Sequence, residues 1–146
     1  MLQQEKPDDY VIATGITTDV REFVSRSFAA IGVTLSFKGE KENETGSVTH
    51  IEDQIFINNV GKDYLLDFKS RIKTNPVVVK VDPTYFRPTE VDLLIGNASK
   101  AKTKLGWEPE YDLNGLIQEM VTSDLFLMKK ESYLREGGYK ILNYFE

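Results

Sequence analysis

At 146 residues, 40% of them hydrophobic, the chain is long enough for one domain with a real core and too short for two. A net charge of -5 and a pI near 5.0 leave no basic surplus to neutralise a phosphate polymer, which argues against nucleic acid as the main partner. With no cysteine, disulfides, thiolate metal sites and a cysteine nucleophile are excluded, which suits a reducing, cytoplasmic setting.

The N-terminal run Met1 to Asp9 lacks the apolar core of a secretion signal, and no stretch has the uninterrupted apolar length of a membrane span. A soluble intracellular protein without a membrane partner is therefore expected. Tyr10-Val11-Ile12-Ala13-Thr14-Gly15 follows a polar turn and closes on glycine, so it predicts a first strand. Thr17 or Thr18 can cap a helix carrying Val20, Phe23, Val24, Phe28 and Ile31 at helical spacing and ending at Gly32. Val33-Thr34-Leu35-Ser36-Phe37 alternates and predicts a half-buried strand.

From 39 to 75 the pattern predicts a loop or a β-rich insertion. Glu40 to Gly46 is charged and aperiodic, as in an exposed, mobile loop. Ser47 to Ile51 and Gln54 to Ile57 have strand character, Asn58-Asn59-Val60-Gly61 suits a turn, and Tyr64 to Phe68 has no decisive period. His50, the single histidine, has no partner at metal-ligand spacing and reads as a surface residue. Val77 to Val81 predicts a strand, and Val91 to Ile95 a short helix stopped by Gly96. Asn97 or Ser99 caps a further helix that ends at Gly106, with Lys100, Lys102 and Lys104 on its solvated face. Asp112 opens a long amphipathic helix through Met128, and 131–146 reads as a tail, either docked on a neighbouring subunit or disordered. Together these short strands and packed helices predict an α/β domain.

The segment Asp82-Pro83-Thr84-Tyr85-Phe86-Arg87-Pro88-Thr89-Glu90-Val91 concentrates the candidate chemistry at a strand-to-helix junction. The Arg87 guanidinium offers planar, bidentate donors that suit phosphate oxygens, and the Glu90 carboxylate can accept hydrogen bonds from ribose hydroxyls. Pro83 and Pro88 stiffen the loop, so less entropy is lost when a ligand orders it. A solvated i,i+3 ion pair beside a helix start would use the same two residues. Both readings stand on chemistry alone. No glycine-rich phosphate fingerprint follows a predicted strand, no tyrosine precedes a lysine by four positions, and one histidine supports no Ser-His-carboxylate set. The pattern is that of a binding domain with no catalytic residues of its own and no metal.

Tyr10 to Gly15, Val20-Arg21-Glu22-Phe23-Val24, Val81 to Val91, and Lys100-Ala101-Lys102 with Leu105-Gly106-Trp107 and Pro109 stand in an order and spacing that resemble the C-terminal part of GDP-mannose 4,6-dehydratases. These are extended short-chain dehydrogenases. The resemblance runs to about Met128 and is weakest over 39–75, which looks longer than the family's loop. It implies that the chain is a single nucleotide-sugar-binding domain fragment, 1–146, lacking the N-terminal Rossmann part. The full-length parent would be a homo-oligomer, dimer or tetramer, that removes water from GDP-mannose to give GDP-4-dehydro-6-deoxymannose through oxidation, elimination and reduction. Its NADP and catalytic residues would belong to that missing part, leaving this fragment inactive alone. The resemblance further assigns Arg87 to the diphosphate and Glu90 to a ribose. Arg21 would lie where a nucleotide approaches, with a helix-surface pair to Glu22 as its alternative, and Thr14 and Gly15 would line the base pocket. Another nucleotide-sugar epimerase or reductase, or a non-catalytic interaction module on the same scaffold, would share these features.

Overall fold

Asp19 starts the first helix: its Oδ1 accepts from the Glu22 backbone N–H at 2.7 Å, so the cap is Asp19 and neither Thr17 nor Thr18. This helix, α1 (Val20–Ala30), hands over through Gly32 at φ +78° to β1 (Val33–Lys38). A side chain at Gly32 would put its Cβ 2.8 Å from the Glu52 carbonyl oxygen, so both the left-handed backbone and the close approach require glycine there. The computed structural model describes residues 4–87 and 94–140.

A 3₁₀ turn, Lys41–Asn43, leads into β2 (Thr45–Ile51). Then follow α2 (Asp53–Asn59), α3 (Lys62–Thr74), β3 (Val77–Lys80), α4 (Ser99–Leu105) and α5 (Leu113–Glu136). The strands form one sheet in the order β1-β2-β3, antiparallel at both pairings. Two antiparallel steps make β1 and β3 run the same way. Their carboxyl ends, Phe37-Lys38 and Val79-Lys80, therefore lie at one end of the sheet. Because α1 turns tightly into β1, its first turn, with Val20 and Arg21, returns to that same end.

The expectation of short strands with packed helices holds, and the two later predicted strands are present. Besides the cap, three local expectations do not hold. Tyr10 to Gly15 forms no strand: Val11 and Ile12 are about half exposed, and no described strand lies alongside to satisfy its backbone. The segment runs instead past Gly96, whose missing side chain admits it, since a Cβ there would sit 2.5 Å from that of Ala13. Gly96 thus marks close approach. The predicted helix before it falls mostly on residues 88–93, outside the described residues, while Leu94 and Ile95 are irregular.

Second, 39–75 is not mainly β or loop. Gln54 to Ile57 is helical within α2, and α3 follows it. Phe56 and Leu65 are buried with Val33, and Phe28, Ile31, Leu35, Val48, Ile51, Val60 and Phe68 pack around them. Phe56 and Phe68 stack at 5.2 Å between ring centroids. Helical geometry wins because it turns Phe56 and Val60 towards one side, onto the sheet. Third, α5 continues to Glu136, so 131–136 belongs to a helix; no breaker intervenes before Gly137, and Ser132 bonds Glu136 one turn on at 3.3 Å. Within α5, Lys129 Nζ donates to the Asn59 carbonyl at 2.7 Å, and Arg26 Nη1 of α1 donates to Asn114 Oδ1 at 3.0 Å. Although α5 is long, no described helix is both long and apolar enough to cross a membrane.

Lys100 and Lys104 have more definite partners than a solvated face implies. Asp8 Oδ1 accepts from Lys100 Nζ at 2.6 Å and Oδ2 from Lys104 Nζ at 3.2 Å, while Lys100 lies over the Tyr10 ring at 5.2 Å. These bonds clasp the N-terminal segment onto α4, and the two ammonium groups hold the Asp8 carboxyl well below the usual carboxylate range. A carboxyl lowered on folding stabilises above its unfolded pKa of about 4 and loses that contribution as pH falls towards the folded value. A carbon-detected NMR titration should find Asp8 still ionised below the usual carboxylate range. A midpoint in the ordinary range would mean that the clasp does not form in solution.

Candidate functional site

The turn that follows β3 is set by its first residue. Asp82 Oδ1 accepts from the Thr84 backbone N–H at 2.8 Å, and the Asp82 carbonyl accepts from the N–H groups of Tyr85 and Phe86, each at 3.1 Å. Pro83 cannot donate and has its φ fixed, so the chain reverses locally and Arg87 emerges exposed beyond the turn.

Arg87 and Arg21 line one cleft of about 470 Å³ at the sheet end where β1 and β3 finish. Val20 and Val24 of α1, Phe37 of β1, Val79 and Val81 give it apolar walls, closed on the loop side by Tyr85 and Phe86. Lys41, Glu44 and Asp82 add to the charged lining, so among the described residues three cations face two carboxylates. Gly46 belongs to the floor, where a Cβ would meet the Phe37 ring at 3.0 Å and Val79 at 3.1 Å. Glycine at that rung leaves the space open. Apolar walls with guanidinium groups suit a ligand in which a flat, apolar part is joined to an anion.

Arg21 does not pair with Glu22, which bonds Arg26 instead. Its Nε donates to Glu44 Oε1 at 2.6 Å and its guanidinium carbon lies 5.8 Å from the centre of the Phe37 ring. The Glu44 carboxylate holds the Arg21 guanidinium above its ordinary pKa, through the hydrogen bond first and its charge second. Glu44 falls in the stretch expected to be an exposed loop, yet its side chain is only 20% exposed. Lys41, in the same stretch, adopts φ +54°, the only positive value at a non-glycine among the described residues.

Thr14 and Gly15 line a different cleft of about 370 Å³, with Gly96, Asn97, Ser99 and Lys102. Glu90 lies outside the described residues. The fold therefore brings Arg21 and Arg87 together and leaves Thr14 and Gly15 apart from them. Sequence reading missed Glu44, Lys41 and Phe37. Only the charge density of Glu40 to Glu44, four charged residues of five, hinted at the first two, and charge alone also describes a solvated loop. His50 is exposed and 3.9 Å from Glu52, and the described residues include no group of three metal-type side chains.

A family model described as GDP-mannose 4,6 dehydratase matches residues 1–120. The chain belongs to that family. It is 42% identical over 141 residues to GDP-mannose 4,6-dehydratase of Vibrio cholerae, covering 97% of this chain and 34% of the relative. Against GDP-mannose 4,6 dehydratase of Dictyostelium discoideum identity is 43% over 129 residues, covering 88% of this chain and 30% of the relative. Against that of Homo sapiens it is 41% over 129 residues, covering 88% and 28%. The chain thus spans about a third of the length of the curated dehydratases it matches. In this family a nicotinamide cofactor is implied, and the described residues do not fit its pyrophosphate. Their positive-φ glycines stand in separate turns, at Gly15, Gly32, Gly39, Gly61, Gly106 and Gly138, and none opens a helix as part of a glycine-rich loop after a strand.

Proposed function

We propose that this chain is the substrate-binding part of a GDP-mannose 4,6-dehydratase, the NADP-dependent lyase that converts GDP-mannose to GDP-4-dehydro-6-deoxymannose. One observation carries the reading: Arg87, in the family-like motif, shares an apolar-walled cleft with Arg21, which comes from a second family-like motif. Two guanidinium groups on one concavity match the charge and the bidentate geometry of a diphosphate. In this reading Arg87 is the principal diphosphate contact, Arg21 a second cation, and Glu90 the acceptor for ribose hydroxyls. Thr14 and Gly15 line their own cleft and take no part in the diphosphate grip. The mannose would project away from the cleft, towards catalytic groups and NADP held by the longer protein.

The test is a protein-observed NMR titration with GDP, which registers binding even in the millimolar range. Shifts should concentrate on Arg21, Phe37 and the stretch from Val79 to Arg87. Shifts confined to α5, or none at all, would refute the assignment of this cleft.

A further inference from the structure

We infer that Glu44 is the positioning residue of this cleft: its carboxylate orients the Arg21 guanidinium, and its backbone anchors the strand end from which the Arg87 turn departs. The inference rests on the nucleotide reading above and extends it to a residue outside the motifs that carry the family resemblance.

Two contacts fix the guanidinium. The Glu44 bond is made at Nε, 2.6 Å away, and the Phe37 ring lies 5.8 Å beneath the guanidinium carbon. One contact restrains rotation about the side chain, and the other restrains the plane. Because Glu44 is bonded at Nε, it does not take up the paired Nη groups, the fork that matches phosphate oxygens. The carboxylate is the more sheltered partner, 20% exposed against 57% for Arg21, so the anion sits behind and the cation in front. An arginine held in this way loses less side-chain entropy when it binds an anion.

The same residue reaches the other arginine through the backbone. The Glu44 carbonyl accepts from the Val81 N–H at 3.4 Å, one step beyond the rung in which Thr45 pairs with Lys80. Val81 immediately precedes Asp82, whose side chain shapes the turn leading to Arg87. A single residue is therefore tied to both guanidinium-bearing elements, although they lie far apart in the chain.

Charge alone predicts the opposite effect, and that makes the inference decidable. A carboxylate lining a cleft repels an anionic ligand, so neutralising a mere neighbour strengthens binding. Neutralising a positioning residue weakens it. The experiment is the GDP titration on the protein with Glu44→Gln, Arg21→Ala, the double variant, and Arg87→Ala as reference. Glutamine leaves the main-chain bond to Val81 in place. Glu44→Gln should weaken GDP about tenfold, and in the Arg21→Ala background the same change should bring no further loss. A second readout is the Arg21 Nε–H resonance, which should exchange faster in Glu44→Gln, whose neutral amide oxygen is the weaker acceptor, than in the parent protein or in Arg87→Ala.

Equal or tighter GDP binding by Glu44→Gln would overturn the inference, as would a loss that persists undiminished without Arg21. If Arg87→Ala weakens GDP while Glu44→Gln does not, the cleft assignment stands and the positioning role falls. If GDP does not bind, or Arg87→Ala has no effect, the nucleotide reading fails and this inference goes with it. Should Glu44→Gln not fold, Arg21→Lys examines the pair from the other side: an ammonium has no Nε–H to steer, so it should bind GDP about tenfold more weakly than arginine does. Full binding by the lysine variant would overturn the inference.

Discussion

Phe56→Ala is expected to lower the unfolding free energy by about 3–5 kcal/mol, a large part of the stability of a domain this size. Phe56 is 3% exposed, stacks on Phe68 and touches the cluster around Val33 and Leu65. Removing its ring takes away transfer free energy and leaves a cavity that α2, pinned by Lys129 at its end, cannot collapse to fill. Leu66, next to buried Leu65 on α3, is 77% exposed, and Leu66→Ala should change stability by no more than about 0.5 kcal/mol. Urea unfolding of the two variants makes the comparison. Equal, small effects would mean that α2 and α3 are an appendage; the expected contrast makes them part of the core.

Arg87→Ala should weaken GDP binding by about 10- to 100-fold, the equivalent of one charge-assisted interaction lost from an open cleft. The side chain is exposed before the ligand arrives, so the cost belongs near that of a solvent-accessible contact and below that of a fully buried pair. Arg87→Lys should recover only part of the loss, since an ammonium keeps the charge without the planar fork. Raising salt should narrow the gap between the parent protein and Arg87→Ala, because the lost contact is ionic. Calorimetry or the NMR titration with GDP measures all three. Unchanged affinity in Arg87→Ala would remove the diphosphate role from this residue.

How far the chain could be read depended on how local each signal was. Asp112 as a cap and Gly106 as a stop are one-turn patterns, and both appear where the residues themselves put them: Asp112 Oδ1 accepts from Gly115 N at 2.7 Å, and Gly106 takes φ +63°. Alternation in Val33 to Phe37 and the β-branched run at Val77 likewise need only their own residues. The helix α3 was legible but needed a longer window. Leu65, Phe68 and Ile72 recur at helical spacing, with Asp67 and Arg71 paired at i,i+4, whereas the five residues Tyr64 to Phe68 taken alone show no period. Gln54 to Ile57 misled because isoleucine and phenylalanine favour strands on average, while burial of Phe56 against β1 selected the helix.

Composition and order of residues determined the charge class, the absence of thiol chemistry, most element positions and the motifs that carry family membership, because each depends on near neighbours or on simple presence. Tertiary structure decided which candidates meet. Arg21 and Arg87 share a cleft because two antiparallel pairings carry β3 parallel to β1 and a glycine turn folds α1 back along it. Tyr10 to Gly15 has strand-forming residues but is no strand, since a strand is completed by hydrogen bonds from another segment, and none among the described residues supplies them. Glu44 looked like one more loop charge until the fold set it 2.6 Å from a guanidinium from another element, a contact no local pattern encodes.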